Sequence, residues 1–560
     1  MGAGTARRAD TDVNRGEPVD GGADLSPRVA TPDASRRALL QRLRESRSDC
    51  WDIIVVGGGA TGLGTAVDAT SRGFRTLLLE AGDFASGTSS KATKLIHGGV
   101  RYLAQGRLSM VREALRERDL LLRNAPHLAW PLGFVIPSFR PTDRLFYGLG
   151  LKLYDALAGG HGIARSRMLS VAETVRALPT LNRSGLRGGV LYFDGQFDDA
   201  ALAIALVRTA AALGGLMLNY VRVDGFLKPA DPGGRIEGVR ATDTETGEDF
   251  ALRARCVVNA TGVWVDALRR ADHPGSAAMV APSQGTHLVL SRTFLPGDHA
   301  LLVPRTDDGR VLFVVPWHGH TIVGTTDVPR PQAMLDAMAP AASGSSATAV
   351  PSSGEVDFLL RAVAPYLSRQ PNRADVLSAW AGLRPLVIDA GAASAATSGL
   401  SREHVIAVSD AGLVTVTGGK WTTYRRMAEE VVDTAIARGL LDNRPCETAA
   451  LPIHGSHGQG GNVGLASSSG GGGGADQPGV PAFGPSEHAV RTAVRFDHAL
   501  TVEDVLARRH RALLLDARSA MAVAPMVATV VGAERGKDQG WVERQVEAFR
   551  REAAKFLVSP

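Results

Sequence analysis

The spacing of polar and apolar positions changes along this chain, and each change marks an element. At 53–56 four consecutive apolar residues, IIVV, read as a strand buried on both faces, and TLLL at 76–79 reads as a second. The stretch between them is helical and rich in small residues, with Ala66 inside it and Gly73 at its exit turn. At 35–46, SRRALLQRLRES sets Leu39, Leu40 and Leu43 on one face and Arg36, Arg37, Arg42 and Arg44 around it, a basic amphipathic helix. Such a helix either lies on anionic lipid or leads, as a surface helix, into the first strand. Helical periodicity returns at 485–558, where Thr501 caps a stretch with Glu503 and Asp504 in its first turn.

Elsewhere periodicity stops. Residues 1 to about 35 hold almost no large apolar side chains and are read as disordered. The runs at 339–354 and 455–479 are Ala/Ser/Gly tracts of the kind that form flexible linkers.

Composition narrows the class. A chain of 560 residues, 44% hydrophobic, can bury more than one core. The net charge of +5 is mild, and no Lys/Arg stripe is interleaved with aromatics, so no nucleic-acid partner is expected. Cys50, Cys256 and Cys446 are three, widely spaced, with no CxxC, which excludes a disulfide framework and a cysteine-built metal site. His318 and His320 lie two apart without a third ligand pattern; they are read as loop or strand residues, and no metal is expected. No apolar run reaches spanning length, which predicts a cytoplasmic protein whose membrane contact, if any, is peripheral and from the side.

The most specific stretch is 51–80. Gly57, Gly59 and Gly62 form G-x-G-x-x-G directly after the first strand, and Glu80 ends the second, at the usual distance of roughly 20 residues. Gly57 permits the tight turn, Gly59 admits the pyrophosphate to the backbone, Gly62 lets helix and strand close up, and Glu80 accepts from the ribose hydroxyls. The motif alone leaves FAD and NAD open. FAD is favoured because the motif lies near the N-terminus and no second hydride-carrier site follows it. Asn259 to Gly262, in CVVNATGVWVD, break a buried strand at a turn suited to the dinucleotide. TVTGGKWTTYRR repeats the design: a strand at 414–417, Gly418 and Gly419, then a helix start carrying Lys420, Thr422 and Thr423. A helix start aimed at a flavin carbonyl edge stabilises the reduced ring.

One run, SSKATKLIHGGVRYL at 89–103, demands an anion for Lys91, Lys94 and Arg101. Together with DGQFDDAAL, GTHLVL, VGTTD, AGLRPL and TGGKWTTYR it closely resembles the FAD-dependent, quinone-linked glycerol-3-phosphate dehydrogenases, over nearly all of 50–445 and the helical tail. The resemblance implies an α/β (α+β) flavoprotein with a Rossmann-like FAD-binding domain of the D-amino-acid-oxidase type, an antiparallel-sheet substrate domain and a helical C-terminal cap. The implied domains are an extension over 1–48, an oxidoreductase region over 49–447, a linker over 455–484 and a helical domain over 485–560. Within the second, FAD-binding parts fall at about 49–135, 190–275 and 400–440, and a substrate part at about 276–399.

The implied activity is oxidation of sn-glycerol 3-phosphate to dihydroxyacetone phosphate, with hydride passing to FAD and electrons to membrane quinone on the inner face of the plasma membrane. Ser89 and Ser90 would contact the flavin; Arg101, Tyr102, Arg384, Lys420 and Asp327 would line the substrate site, the cations gripping a dianionic phosphate. His287 is the candidate general base, with Arg384 and Lys420 holding the developing alkoxide. Trp421 stands where a smaller aliphatic residue is expected. RLFYGLGLKLYDALAG (144–159) is either a membrane patch or a buried helix. A homodimer stays open, as do an oxygen-using glycerol-3-phosphate oxidase, an amine or 2-hydroxy-acid oxidase and a non-catalytic flavin-bound scaffold.

Overall fold

Strand Cys50–Val56 lies between Asp249–Asn259 and Thr76–Leu79 in a sheet whose order continues to Leu216–Leu218 on one side and to Leu413–Thr417 and Val405–Val408 on the other. The inner pairings are parallel, as the continuous apolar runs predict. In this computed structural model residues 35–99, 106–229, 234–306, 309–338, 348–388, 403–456 and 483–559 are described. Arg101, Tyr102 and most of the expected Gly-rich linker lie outside them.

Helices Ala60–Ser71, Asp199–Ala212 and Tyr424–Ala437 pack on the parallel sheet through one apolar cluster that includes Leu63, Leu206 and Val431. On the other face, Leu39, Leu40 and Leu43 of helix Arg36–Glu45 are buried with Trp51, Ile54 and Leu252. That apolar stripe is spent on the sheet, while Arg36 pairs with Asp243 at 2.6 Å and Arg44 with Glu248 at 2.7 Å. Of the two readings of the basic helix, the surface helix holds and the lipid-lying one is withdrawn.

A second, mostly antiparallel sheet is built around Val280–Ser291, flanked by His320–Gly324 and Val376–Val387. Strands Ala129–Pro137 and Gly189–Phe197 also join it, although the sequence places most of both among the FAD-binding parts. The reason is pairing: Ala129–Pro137 runs antiparallel to Gly189–Phe197 over nine positions and meets Ala300–Val303 on its other edge.

The C-terminal helices Glu487–Phe496, Ala517–Arg535 and Gln539–Ala554 share one hydrophobic cluster with this sheet, running from Phe134, Trp317 and Trp380 into Leu513, Val527 and Phe549. The single helix expected after Thr501 is instead broken. A π-helical turn at Asp504–Arg509 is followed by Arg511 in the left-handed region (φ 68) and a short helix Ala512–Leu515. The break has a visible cause: Arg508 and Arg509 turn inward to Asp83, and Arg511 to Asp199.

Candidate active site

A cavity of about 1660 Å³ joins the two sheets, and its wall carries both halves of the expected chemistry. Gly57, Gly59, Glu80, Ser89, Gly262, Gly418, Gly419, Lys420 and Thr422 line it together with His287, Asp327 and Arg384. Ser90, Asn259 and Thr423 stand behind the wall and shape it. Asn259 donates from Nδ2 to the Val265 carbonyl at 2.9 Å and accepts from the Thr261 hydroxyl at 2.7 Å, fixing the turn. Thr423 donates to the Lys420 carbonyl at 3.3 Å.

The dinucleotide end is shaped by absent side chains. A Cβ on Gly62 would lie 1.9 Å from the Gly57 carbonyl oxygen, and one on Gly57, at φ 110, would lie 2.6 Å from the Ala260 carbonyl oxygen. Glu80 is half-buried in the cavity wall, its removal from solvent raises its pKa, and it accepts from the Gly58 and Gly82 amides at 2.6 and 2.8 Å. Each carboxylate oxygen keeps a further lone pair for a ribose hydroxyl. Helix Ala60–Ser71 has no side chain of its own at its cap, and its start faces the cavity. These residues fit a flavin dinucleotide.

The loop before the second sheet is held at several points. Ser89 Oγ accepts from the Ala60 amide at 2.9 Å, and the Trp421 indole N–H donates to the Ser89 carbonyl at 2.8 Å. The unexpectedly large Trp421 therefore packs under the lysine turn and ties it to this loop. Behind it, the Ser90 carbonyl accepts from Lys94 Nζ at 2.8 Å and from Arg511 at 3.0 Å. The anion that Lys94 demands is Asp199, at 2.7 Å and fully buried. Burial, and then the Arg511 charge, lower Lys94 to about 7.

Strand register builds the substrate end. Val280–Ser291 pairs with Val376–Val387 so that His287 faces Trp380 and Ser283 faces Arg384, with Gly285 opposite Gly382 between them. Side chains alternate along a strand, so these three pairs share one face, and the glycine pair leaves bare backbone between the histidine and the arginine. A Cβ on Gly285 would lie 2.2 Å from Arg384 Nη2. Arg384 donates to Thr325 Oγ1 at 3.0 Å and lies 3.4 Å from Asp327, an acidic partner far off in sequence that the local neighbourhood did not reveal. Ser283 also donates to Asp327. His287 stacks on Trp380 with centroids 4.1 Å apart and meets Thr93 Oγ1 at 2.9 Å through Nε2. Burial, then the Arg384 and Lys94 charges, push its pKa well below the usual imidazole value, so the ring is neutral.

Sequence reasoning missed Thr93, His97, Arg310 and Trp380. Arg310 lines the cavity and donates to the Asp327 carbonyl at 3.0 Å; the His97 amide donates to Thr422 Oγ1 at 3.2 Å. His97 sits inside the quoted LIHGG run, so its motif was in view; Arg310 had no motif around it. His318, set aside as a metal ligand, lies 3.2 Å from Asp198.

A dinucleotide cradle opening onto a cationic, histidine-bearing sheet defines a flavin-dependent oxidoreductase, and comparison with known proteins agrees. Residues 52–425 match the family described as FAD dependent oxidoreductase, and residues 472–541 match the C-terminal domain of alpha-glycerophosphate oxidase. The mitochondrial glycerol-3-phosphate dehydrogenase of Mesocricetus auratus is 38% identical over 566 residues, covering 93% of this chain and 75% of that protein. That of Arabidopsis thaliana is 41% identical over 474 residues, covering 78% and 72%. Among solved structures, the glycerol-3-phosphate dehydrogenase from Bacillus halodurans complexed with FAD superposes with a TM-score of 0.71 at 27% identity, covering 94% of this chain and 98% of that one. The chain belongs to the FAD-dependent glycerol-3-phosphate dehydrogenase family.

Proposed function

We propose that this protein oxidises sn-glycerol 3-phosphate to dihydroxyacetone phosphate and passes the electrons to membrane quinone. The observation that carries the reading is the single cavity in which the dinucleotide cradle meets Arg310, Arg384, Lys420 and His287. Bound FAD supplies the hydride acceptor. The chain does the rest. A dianionic phosphate needs several fixed cations, and Arg384 on a strand with Arg310 and Lys420 on two connecting segments supply them. Asp327 orients Arg384 and, through its carbonyl, Arg310. Arg101 and Tyr102, outside the described residues, complete the substrate wall by resemblance. His287, neutral and fixed by Trp380, takes the proton of the C2 hydroxyl. The cations hold the alkoxide that develops as the proton leaves.

The quinone and membrane reading rests on helix Pro141–Ala158. Phe146, Leu149 and Leu153 are 71%, 70% and 47% exposed, and all three border the same cavity. An apolar helix face at the mouth of a redox cavity suits peripheral contact with a bilayer and entry of an apolar acceptor. Among the described residues no helix is long and apolar enough to cross a membrane. Oxygen is the competing acceptor.

The test is anaerobic. Adding sn-glycerol 3-phosphate to the holoenzyme should bleach the oxidised flavin band, and glycerol should not. A flavin that stays yellow defeats the phosphate-substrate reading. In a second step, reoxidation by a short-chain quinone should outrun reoxidation by oxygen; rapid peroxide formation instead would assign an oxidase.

A further inference from the structure

The two nitrogens of His287 are not equivalent. Nδ1 is buried and has no hydrogen-bond partner among the described residues, while Nε2 meets the Thr93 hydroxyl at 2.9 Å. The ring cannot swing toward the cavity without leaving its stack on Trp380, at 4.1 Å and 18° from parallel. Among the described residues, the hydrogen bond that leaves the imidazole therefore ends on Thr93 Oγ1. Thr93 lines the cavity beside His287.

Thr93 is also held in place from both sides. The Ala92 amide donates to Asp199 Oδ2 at 3.0 Å, and Lys94, with its backbone at φ 65, donates from Nζ to both oxygens of the same carboxylate at 2.8 and 2.7 Å. One buried aspartate thus brackets the threonine and presents its hydroxyl toward His287. A side chain so constrained loses little freedom on binding, which is what a positioned proton carrier needs.

We propose that Thr93 is a further catalytic residue, relaying the proton of the substrate hydroxyl to His287. The proposal rests on His287 as the proton acceptor. The substrate O–H bond breaks and its proton goes to Thr93 Oγ1, while the proton already on Thr93 goes to His287 Nε2. The electron pair left on the substrate oxygen closes the carbonyl as the C2–H pair leaves as hydride to the oxidised flavin of the proposed reaction. Threonine ends as it began, and the imidazole carries the proton until it passes back through Thr93 to water that enters the cavity once product has left.

The experiment compares Thr93→Val, Thr93→Ser and His287→Gln holoenzymes in anaerobic stopped flow, after their flavin spectra and melting temperatures have been matched to the wild type. Thr93→Val keeps the shape and removes the hydroxyl. Its flavin reduction rate should fall by about 10²-fold or more with little change in substrate affinity, and Thr93→Ser should recover a large part of the loss. The wild type should show a curved proton inventory in mixed light and heavy water, the sign of two protons in flight. A Thr93→Val enzyme that reduces at the wild-type rate beside a slow His287→Gln enzyme would overturn the relay and leave His287 as a direct base. Fast reduction in both variants would overturn the base assignment itself.

Discussion

Arg384 lies 3.4 Å from the Asp327 carboxylate and donates to Thr325 Oγ1 at 3.0 Å, so the cation proposed to grip phosphate is already oriented by its own wall. Such a group is preorganised, and a dianion arriving beside it adds charge-assisted bonds without reordering the side chain. Replacing Arg384 with Ala should raise KM for glycerol 3-phosphate by roughly 10²-fold, the loss expected for one or two hydrogen bonds to a charged group. Steady-state kinetics would check it. An unchanged KM would remove Arg384 from the phosphate site.

The contact of Gly62 with the Gly57 carbonyl predicts a protein without flavin. Gly62→Ala must push apart the first strand and the helix start, because the added carbon would sit 1.9 Å from that oxygen. The purified variant should be folded and nearly colourless. Full retention of flavin absorbance relative to protein absorbance would contradict the cradle.

Arg511 is the structural link between the C-terminal helices and the flavin loop. It pairs with Asp199 at 2.6 Å, both side chains being almost wholly buried. Arg511→Met should cost about 3 kcal/mol, the low end for a broken buried pair, since Lys94 still neutralises Asp199. Denaturant titration would measure the change, and a negligible shift in midpoint would show that the pair is dispensable.

Buried histidines oppose stability in acid, and His498 is one of them. His498 packs edge-on against Phe84, and burial, then the Arg509 charge, lower its pKa to about 3. The unfolded chain takes up this proton below about 6.5, and the folded one does not until about 3. Unfolding therefore binds protons across that window, and stability falls as pH falls through it. His498→Asn, chosen because residue 498 has φ 59, should make the loss between neutral pH and pH about 5 less steep, read as the urea midpoint at each pH. An equally steep loss in the variant would assign it elsewhere.

For the membrane face, Phe146→Glu with Leu149→Glu should weaken binding to anionic vesicles by roughly 10²-fold or more, from two large apolar side chains no longer buried in lipid. Co-sedimentation would report it, and soluble-acceptor turnover should persist. Unchanged sedimentation would place the contact on another surface.

How much of this was legible depended on whether a function needed neighbours in sequence or in space. The stretch from Cys50 to Glu80 announced its cradle because strand, glycines, helix and acid are consecutive, and each has a local steric or electrostatic task. Gly418, Gly419 and Lys420 were readable for the same reason. At the substrate end His287, Arg384 and Asp327 were named only through the resemblance, since how they meet depends on how Val280–Ser291 registers against Val376–Val387. A shift of one residue would turn His287 away from Trp380 and Arg384 away from the cavity. Asp327 as the partner of Arg384, and Asp199 as the anion of Lys94, are likewise contacts across the fold. The broken helix around Arg511 escaped detection because an apolar helical period persists through it; the departure is imposed by carboxylates about 300 to 400 residues upstream.

The flavin loop is tied by Arg511 on one side and by Trp421 on another, and its cradle strand is flanked by Asp249–Asn259, itself paired with Leu413–Thr417. A nascent chain leaving the ribosome therefore carries an incomplete seat for the cofactor until residue 511 has been made. Cofactor loading is in this way a check on translation: fragments cut short before residue 511 should circulate as apoprotein.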